Sequence, residues 1–287
     1  MKKERKMFLE IIKFIVYSGC IVIISKYILV TTLRKLAESL NLKPKMVGDI
    51  AGYATSMPEL LTIGASSFNG LISASVVNVL SSNVINMIQY ISSIILNKNQ
   101  KAFKNKAIKI DIILVIITII IPIILLMLNV EISIPIVPIF VILYLLFGFL
   151  NSNAHKLYLR KEDEILEQQI EREEKWERNN KKKTIKYIFY LLITGILLFV
   201  IGDALGNTLE SLCNRFNISQ TIIGILLGFI TSIPELITFF ESQKHYKKQK
   251  TNDILGVVEA TNNLLTSNML NLFAIQSIGI LIYTFFV

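Results

Sequence analysis

Two short segments of the chain place a proline next to a glutamate inside long apolar stretches. Residues 53–62 read YATSMPELLT, and residues 229–238 read FITSIPELIT. Proline has no N–H, so the carbonyl one turn before it loses its usual helical partner. A glutamate within a membrane span is costly and is therefore a candidate for function. Freed carbonyls together with the carboxylates of Glu59 and Glu235 are suitable ligands for a cation.

Further oxygen-bearing side chains accompany these glutamates. Hydroxyls precede each proline, and the next apolar stretch carries a Ser and an Asn four residues apart, a spacing that puts both on one helix face. They are Thr55, Ser56, Ser82 and Asn86 in the first half, and Thr231, Ser232, Ser267 and Asn271 in the second. Ca²⁺ takes about 6–8 oxygen ligands, and two carboxylates would balance its charge. Na⁺ accepts the same ligands, so the pattern favours an all-oxygen cation site.

The two motif-bearing halves form an internal repeat. A shift of 176 residues aligns the Pro-Glu segments and the helix before each, and a shift of 185 aligns the Ser/Asn segments. Polar residues match in order, which chance pairing of apolar residues does not explain. An odd number of predicted spans separates the two starts, so the second copy is inverted in the membrane. Inverted repeats with interrupted helices are typical of secondary transporters, whose ion site lies near the midplane where the copies meet.

The composition is that of a membrane protein. Of the 287 residues, 53% are hydrophobic, and the mean hydropathy is +0.57. We predict an all-α membrane protein, an inverted-repeat transporter bundle of about eight spans with broken motif helices. Five spans belong to the first copy and three to the second. The predicted spans are 8–33, 46–67, 71–96, 110–128, 133–150, 185–213, 219–241 and 255–286.

Several classes of function are disfavoured. The net charge of +9 could suggest nucleic acid, but the Lys and Arg residues lie between apolar stretches and line no aromatic surface. We therefore predict no nucleic-acid partner and a lipid bilayer as the surroundings. His155 and His245 are both expected in loops, and neither a zinc-protease motif nor a nucleophile elbow is present. No enzyme activity and no cofactor are predicted.

The Lys and Arg residues predict the orientation in the cell membrane. Four loops on one side hold 23 of them, whereas the other side holds five. Basic loops stay in the cytoplasm, so we predict an outside N-terminus. The charged segment 151–184 carries Glu and Lys/Arg at helical spacings. It is predicted to be a partly helical cytoplasmic linker between the repeats at 1–150 and 185–287.

The motifs resemble those of the cation/calcium antiporter superfamily, best known for the sodium/calcium exchangers, and are most similar to its prokaryotic members. Each repeat of that family carries a Gly-Thr-Ser-x-Pro-Glu motif on one helix and a Gly-Asn-x-x-Gly-Ser-Asn-x-x-Asn/Asp motif on the next. Here the first motif reads ATSMPE at 54–59 and ITSIPE at 230–235. The second reads VNVLSSNVIN at 77–86 and NNLLTSNMLN at 262–271.

The resemblance implies that Glu59 and Glu235 are the central Ca²⁺ ligands and that the eight hydroxyl and amide residues named above complete the Ca²⁺ and Na⁺ sites. It implies antiport of Ca²⁺ against Na⁺ by alternating access, in which the first and sixth helices slide across the rest. Coupling to H⁺ and a non-transporting regulatory role remain alternatives. Three other carboxylates are attributed to solvation at the membrane interface, with a role in an ion vestibule or in proton coupling as the alternative: Asp49, Asp203 and Glu259.

Three features depart from the family pattern. Motif glycines are replaced in both repeats, for example by Ser81 and Thr266. Both Asn86 and Asn271 are amides, whereas relatives often have an Asp at one of these positions. The family usually has ten helices, so the second repeat is expected to lack partners for spans four and five. We therefore expect self-association into a homo-oligomer.

Overall fold

The structure is a computed structural model that describes residues 2–40, 44–127, 133–158, 181–248 and 253–287. These residues form helices, and none of them lies in a strand, so the all-α prediction is confirmed. The α-helices are α1 Lys2–Ile24, α2 Thr31–Ser39, α3 Pro44–Thr55, α4 Met57–Phe68, α5 Ile72–Leu96, α6 Lys106–Met127, α7 Val137–Tyr158, α8 Lys181–Glu210, α9 Gln220–Thr231, α10 Ile233–Lys248, α11 Asp253–Met269 and α12 Gln276–Phe286.

Short helical segments of other types connect or extend these helices. The π-helical segment Ser25–Val30 joins α1 to α2, Ser211–Arg215 extends α8, and Leu270–Ile275 joins α11 to α12. Two 3₁₀ turns precede α6 and α7, at Gln100–Lys104 and Ile134–Ile136. The pairs α1–α2 and α11–α12 therefore each form one continuous long helix.

Six helical stretches are long and apolar enough to cross a membrane: Glu4–Leu33, Ile72–Leu96, Ile134–Asn153, Thr184–Arg215, Gln220–Lys247 and Ile254–Phe286. The two other predicted spans, 46–67 and 110–128, coincide with the broken pair α3–α4 and with α6. The bundle thus has about eight spans, as the apolar stretches predict. Of the predicted linker, residues 159–180 lie outside the described part of the chain.

Both motif helices are interrupted where the sequence predicts. α3 gives way to α4 at Ser56, with φ −80° and ψ 0°, and α9 gives way to α10 at Ser232, with φ −79° and ψ −4°. Pro58 and Pro234 are the second residues of α4 and α10, in the first turn, where a missing N–H is tolerated. At each break the backbone N–H of the serine donates to the carbonyl oxygen four residues back, at 3.2 Å. The interruption is therefore confined to one turn.

The two repeats interlock around the motif helices. α3 packs along α11 and α9 packs along α5, so the helix before each Pro-Glu break lies against the Ser/Asn helix of the other repeat. Glycines make this close approach possible. A Cβ on Gly52 would lie 2.9 Å from the carbonyl oxygen of Asn263, and one on Gly228 would lie 2.9 Å from the nitrogen of Ser82. The breaks are thus held where the repeats meet.

The remaining helices surround this centre. α8 packs against α1, α2 and α4 on one flank. On the other, α6 packs against α11, and α7 packs against the segment Leu270–Ile275. Phe273 of that segment contacts the rings of Phe140 and Phe147, with centroids 5.8 and 5.4 Å apart. Spans four and five of the first repeat therefore cover the Ser/Asn helix of the second.

Candidate cation site

The two glutamates of the motifs lie at the centre of the bundle. Each is the third residue of its helix, α4 or α10, and neither side chain is exposed at all. The N-terminal turn of a helix favours negative charge, because its free N–H groups and the helix dipole are positive there. Glu59 lies close enough to Glu235 for the two carboxylates to interact electrostatically. The breaks therefore place two fully buried carboxylates within electrostatic reach of each other.

Each glutamate of this pair lies beside a threonine hydroxyl that belongs to the other repeat. Thr231 of the second repeat lies beside Glu59, and Thr55 of the first lies beside Glu235. The Ser56 and Ser267 hydroxyls hydrogen-bond each other at 2.9 Å, and Ser267 donates to Oε1 of Glu235 at 2.9 Å. This chain of contacts connects α3, α11 and α10 across the repeat boundary.

The two halves of the site are not identical. Ser82, the counterpart of Ser267, donates to the backbone carbonyl oxygen of Asn78 at 2.8 Å rather than to a glutamate. Neither carboxylate oxygen of Glu59 has a hydrogen-bond partner, whereas Glu235 has one at Ser267. The first-repeat carboxylate is therefore the more available ligand.

The asparagines at the end of the second motif each donate a hydrogen bond from the side-chain nitrogen. This bond fixes the orientation of the side-chain oxygen. The Asn86 Nδ2 donates to Oδ1 of Asn268 at 3.2 Å, and the Asn271 Nδ2 donates to Oδ1 of Asn83 at 3.5 Å. Each bond crosses from one repeat to the other. The two Oδ1 atoms, at Asn86 and Asn271, remain as acceptors without a donor.

Among the described residues, the centre is rich in buried acceptors that no protein donor satisfies. They are both carboxylate oxygens of Glu59, Oε2 of Glu235, Oγ of Ser232 and the Oδ1 atoms of Asn86 and Asn271. Buried polar atoms are normally hydrogen-bonded, and leaving them unpaired is costly. A cation supplies what such oxygens lack. The donor set fits a hard ion such as Ca²⁺, which takes about 6–8 oxygens.

All ten residues predicted from the motifs are fully buried in the described structure. They lie on α3, α4, α5, α9, α10, α11 and the segment Leu270–Ile275, and direct contacts connect six of them: Thr55, Ser56, Glu59, Thr231, Glu235 and Ser267. No group of three or more His, Cys, Asp or Glu side chains is found among the described residues. Cation binding here would therefore depend on two carboxylates supplemented by neutral oxygens, as the residue types indicate.

Four further asparagines hold the site together, and the motif analysis did not assign them a role. Asn83 and Asn268 each donate to the other's backbone carbonyl at 3.1 Å. Asn78 donates to Thr62 at 3.1 Å, and its counterpart Asn263 donates to Thr238. The signal was present, because these asparagines align between the repeats. Their hydrogen bonds connect the motif helices.

The three additional carboxylates occupy different environments. Asp203 is exposed. Asp49 is half-buried and accepts a hydrogen bond from Thr266 at 3.0 Å. Glu259 departs from the expectation, since it is only 2% exposed and accepts from Ser242 at 2.6 Å. Packing of α10 against α11 encloses it.

The chain matches the family model described as "Sodium/calcium exchanger protein" over residues 11–152 and 186–287. Its fold is similar to that of the sodium-calcium exchanger NCX_Mj soaked with 100 mM Na⁺ and 10 mM Sr²⁺, with TM-score 0.55 and 20% identity, covering 96% of this chain and 83% of that one. The same exchanger soaked with 2.5 mM Na⁺ and 0.1 mM Ca²⁺ gives TM-score 0.54 and 21% identity, covering 96% and 82%. Among curated proteins, none matches the chain in sequence.

Proposed function

The chain belongs to the sodium/calcium exchanger protein family, and on that premise we propose that it is an antiporter that exchanges Ca²⁺ for Na⁺ through the buried site between its repeats. The family consists of membrane transporters, and the apolar helices of this chain are those of a multi-pass membrane protein. The proposed ligands are the ten buried residues described above. They are Glu59, Glu235, Asn86, Asn271, Ser82, Ser267, Thr55, Ser56, Thr231 and Ser232.

The observation that carries this proposal is the set of buried oxygens without a donor. Two carboxylates buried together repel one another and cost solvation energy. A divalent cation between them would neutralise both charges and occupy the acceptors of Ser232, Asn86 and Asn271. Na⁺ ions, which carry one charge rather than two, would bind to the same kind of oxygen ligand. Competition for one set of oxygens would couple the movements of the two ions.

We propose that the helix pair formed by α1–α2 and α8 moves across the centre to alternate access. The contact between α8 and α4 supports this proposal because α8 contributes two glycines to it. A Cβ on Gly206 would lie 2.5 Å from that of Ala65, and one on Gly202 would lie 3.0 Å from the Cβ of Leu61. Small residues let helices approach closely, and a smooth interface opposes sliding less than interlocked side chains.

The proposed arrangement in the membrane follows the sequence prediction. Residues 1–150 and 185–287 form the two inverted repeats, and segment 151–184 connects them on the cytoplasmic side. The N-terminus lies outside. This arrangement rests on the distribution of Lys and Arg between the loops.

Ion flux in sealed vesicles tests the proposed function. The purified protein is reconstituted into liposomes, and Ca²⁺ uptake is measured with an outward Na⁺ gradient, a pH gradient or neither. We expect uptake with the Na⁺ gradient and its loss when a sodium ionophore dissipates that gradient. Uptake driven by the pH gradient alone would identify H⁺ as the coupling ion. No uptake under any gradient would support the non-transporting alternative.

A further inference from the structure

A narrow cleft enters the bundle beside Glu259, away from the ten proposed ligands. It has an empty volume of about 310 Å³, including the part open to the outside. Apolar side chains of the first span and of α3 form most of its wall, among them Val30, Leu33 and Ala51. Thr238 and Glu259 are its polar residues. The cleft thus pairs an opening in the bundle with a buried carboxylate.

Polar contacts lead from this cleft to the central site. Glu259, Asn263 and Ser267 are spaced four residues apart on α11 and therefore share one face of that helix. Beside them, the Ser242 hydroxyl contacts both the Glu259 carboxylate at 2.6 Å and the carbonyl of Thr238 at 2.7 Å.

The contacts continue inward from Thr238. Its hydroxyl accepts a hydrogen bond from Asn263, whose Oδ1 in turn accepts one from Thr55 at 3.4 Å. One turn further along α11, Ser267 donates to Glu235 at 2.9 Å. Oxygen atoms of Thr238, Asn263 and Ser267 therefore extend from the cleft toward the centre, whereas the Ser242 hydroxyl holds Glu259 against α10.

The equivalent positions of the other repeat are fully buried and carry no charge. By the repeat shift of 185 residues, Ala74 is the equivalent of Glu259. By the shift of 176 residues, Leu227 is the equivalent of Ala51. Ala74 and Leu227 are fully buried, whereas Ala51 is half-buried and lines the cleft. The cleft lies near the start of α3 and the start of α11, and Thr238 in the first half of α10 also lines it. It therefore opens at the end of the bundle that carries the 1–2 and 7–8 loops.

We propose that Glu259 is an accessory cation-binding residue, which captures Ca²⁺ in this cleft before it passes to the central site. The proposal rests on the proposed function, since it assigns a path to the same ion. A buried carboxylate in a membrane span is expensive and is retained where it acts on an ion. A negative charge in a cleft with low-dielectric walls also raises the local concentration of cations.

A structural role for Glu259 makes a different prediction, because its bond to Ser242 also connects α10 to α11. Two variants separate these roles. Glu259→Gln keeps the size and an acceptor oxygen but removes the charge, whereas Ser242→Ala keeps the charge and removes the hydrogen bond. Ca²⁺ transport is measured in oriented vesicles with Ca²⁺ supplied on either side.

With Ca²⁺ on the side of the 1–2 and 7–8 loops, we expect Glu259→Gln to raise the apparent KM for Ca²⁺ roughly tenfold. A change of this size corresponds to the loss of about one screened charge interaction. The maximal rate should change by less than about twofold, and Ser242→Ala should leave KM near that of the unmodified protein. With Ca²⁺ on the opposite side, both variants should behave normally. An unchanged KM in Glu259→Gln, or equal effects of the two variants, would overturn the proposal.

A second measurement does not depend on transport. Ala51→Cys and Leu227→Cys are made separately in a Cys20→Ser/Cys213→Ser background and treated with an impermeant thiol reagent. We expect labelling at position 51 from the loop side, slowed by Ca²⁺, and little labelling at position 227. Adding Glu259→Gln should raise the Ca²⁺ concentration needed for protection. Protection that does not depend on Glu259 would contradict the accessory site even if the protein transports Ca²⁺. Conversely, charge-dependent protection without any flux would contradict the antiporter proposal alone.

Discussion

At the residue scale, the motifs single out candidate ligands but not the hydrogen-bond partner of each. Duplication of the motifs selects ten residues, and all of them are buried. The unequal partners of Glu59 and Glu235 could not be predicted, because Ser82 and Ser267 are the same residue type at equivalent positions. Their hydroxyls rotate toward different acceptors, a choice set by packing between repeats.

Glu59→Gln and Glu235→Gln should each abolish Ca²⁺ transport or weaken it severely. One charge of the ion would remain unbalanced in either variant. At an effective dielectric near 20, a unit charge pair at about 4 Å is worth roughly 4 kcal/mol. Losing even half of that weakens binding by more than about tenfold. Gln keeps the size, so the melting temperature should hold.

Ca²⁺ uptake in vesicles, normalised to folded protein, measures this effect. The control is Glu241→Gln, which removes an exposed carboxylate on the same helix as Glu235 and should transport normally. Near-normal affinity and rate in either central variant would show that the ligand assignment is wrong.

Asn271→Asp should be tolerated and should leave Ca²⁺ affinity unchanged or higher. The substitution adds a carboxylate where the structure places an acceptor oxygen without a donor. Its cost is one long hydrogen bond to Asn83, at 3.5 Å. Ca²⁺ dependence of uptake measures the affinity. A correctly folded variant that no longer transports would contradict a ligand role for this side chain.

At the element scale, the sequence predicts the helix breaks well because proline acts locally. The replaced motif glycines were harder to interpret. The structure shows that Gly52 faces Thr266 and Gly228 faces Ser81 on the opposing helices. Close approach therefore needs a glycine on one partner of each pair, which depends on tertiary contacts that a single segment does not reveal.

Gly52→Ala should destabilise the protein and disrupt transport. A Cβ there would lie 2.8 Å from the Cβ of Thr266 and 2.9 Å from the Asn263 carbonyl. Separating α3 from α11 would also move Ser56 away from Ser267. Overpacking of this kind typically costs about 1–3 kcal/mol, which a lowered melting temperature in detergent would show. Gly19→Ala is the control, since a Cβ there meets nothing within 4 Å. Equal melting temperatures for the two variants would contradict the packing argument.

At the scale of the whole molecule, the internal repeat predicts that the two copies face each other. It does not predict where spans four and five lie. Their sequences are almost uniformly apolar, so no face is distinguished before the fold is known. The structure places α6 and α7 against α11 and Leu270–Ile275. The first repeat thus covers the second, and the expected homo-oligomer remains a prediction.

Membrane orientation is the remaining prediction at this scale, and it concerns positions outside the described residues. Four loops hold 23 Lys and Arg residues, and the other side holds five. Retention of basic loops in the cytoplasm places residue 180 inside and residue 129 outside. The basic N-terminus opposes this orientation, but it contributes only Lys2, Lys3, Arg5 and Lys6. The loops outweigh it, because the bias of all short loops together sets topology.

Asn129→Cys should react with an impermeant thiol reagent added to intact cells, and Asn180→Cys should react only after the membrane is opened. Both variants are made in the Cys20→Ser/Cys213→Ser background, because these are the two native cysteines. Labelling in permeabilised cells confirms that each introduced thiol is reactive. The reverse labelling pattern would show that the bundle has the opposite orientation, with the Glu259 cleft on the outer face. The accessory carboxylate would then act on Ca²⁺ arriving from outside the cell rather than on Ca²⁺ in the cytoplasm.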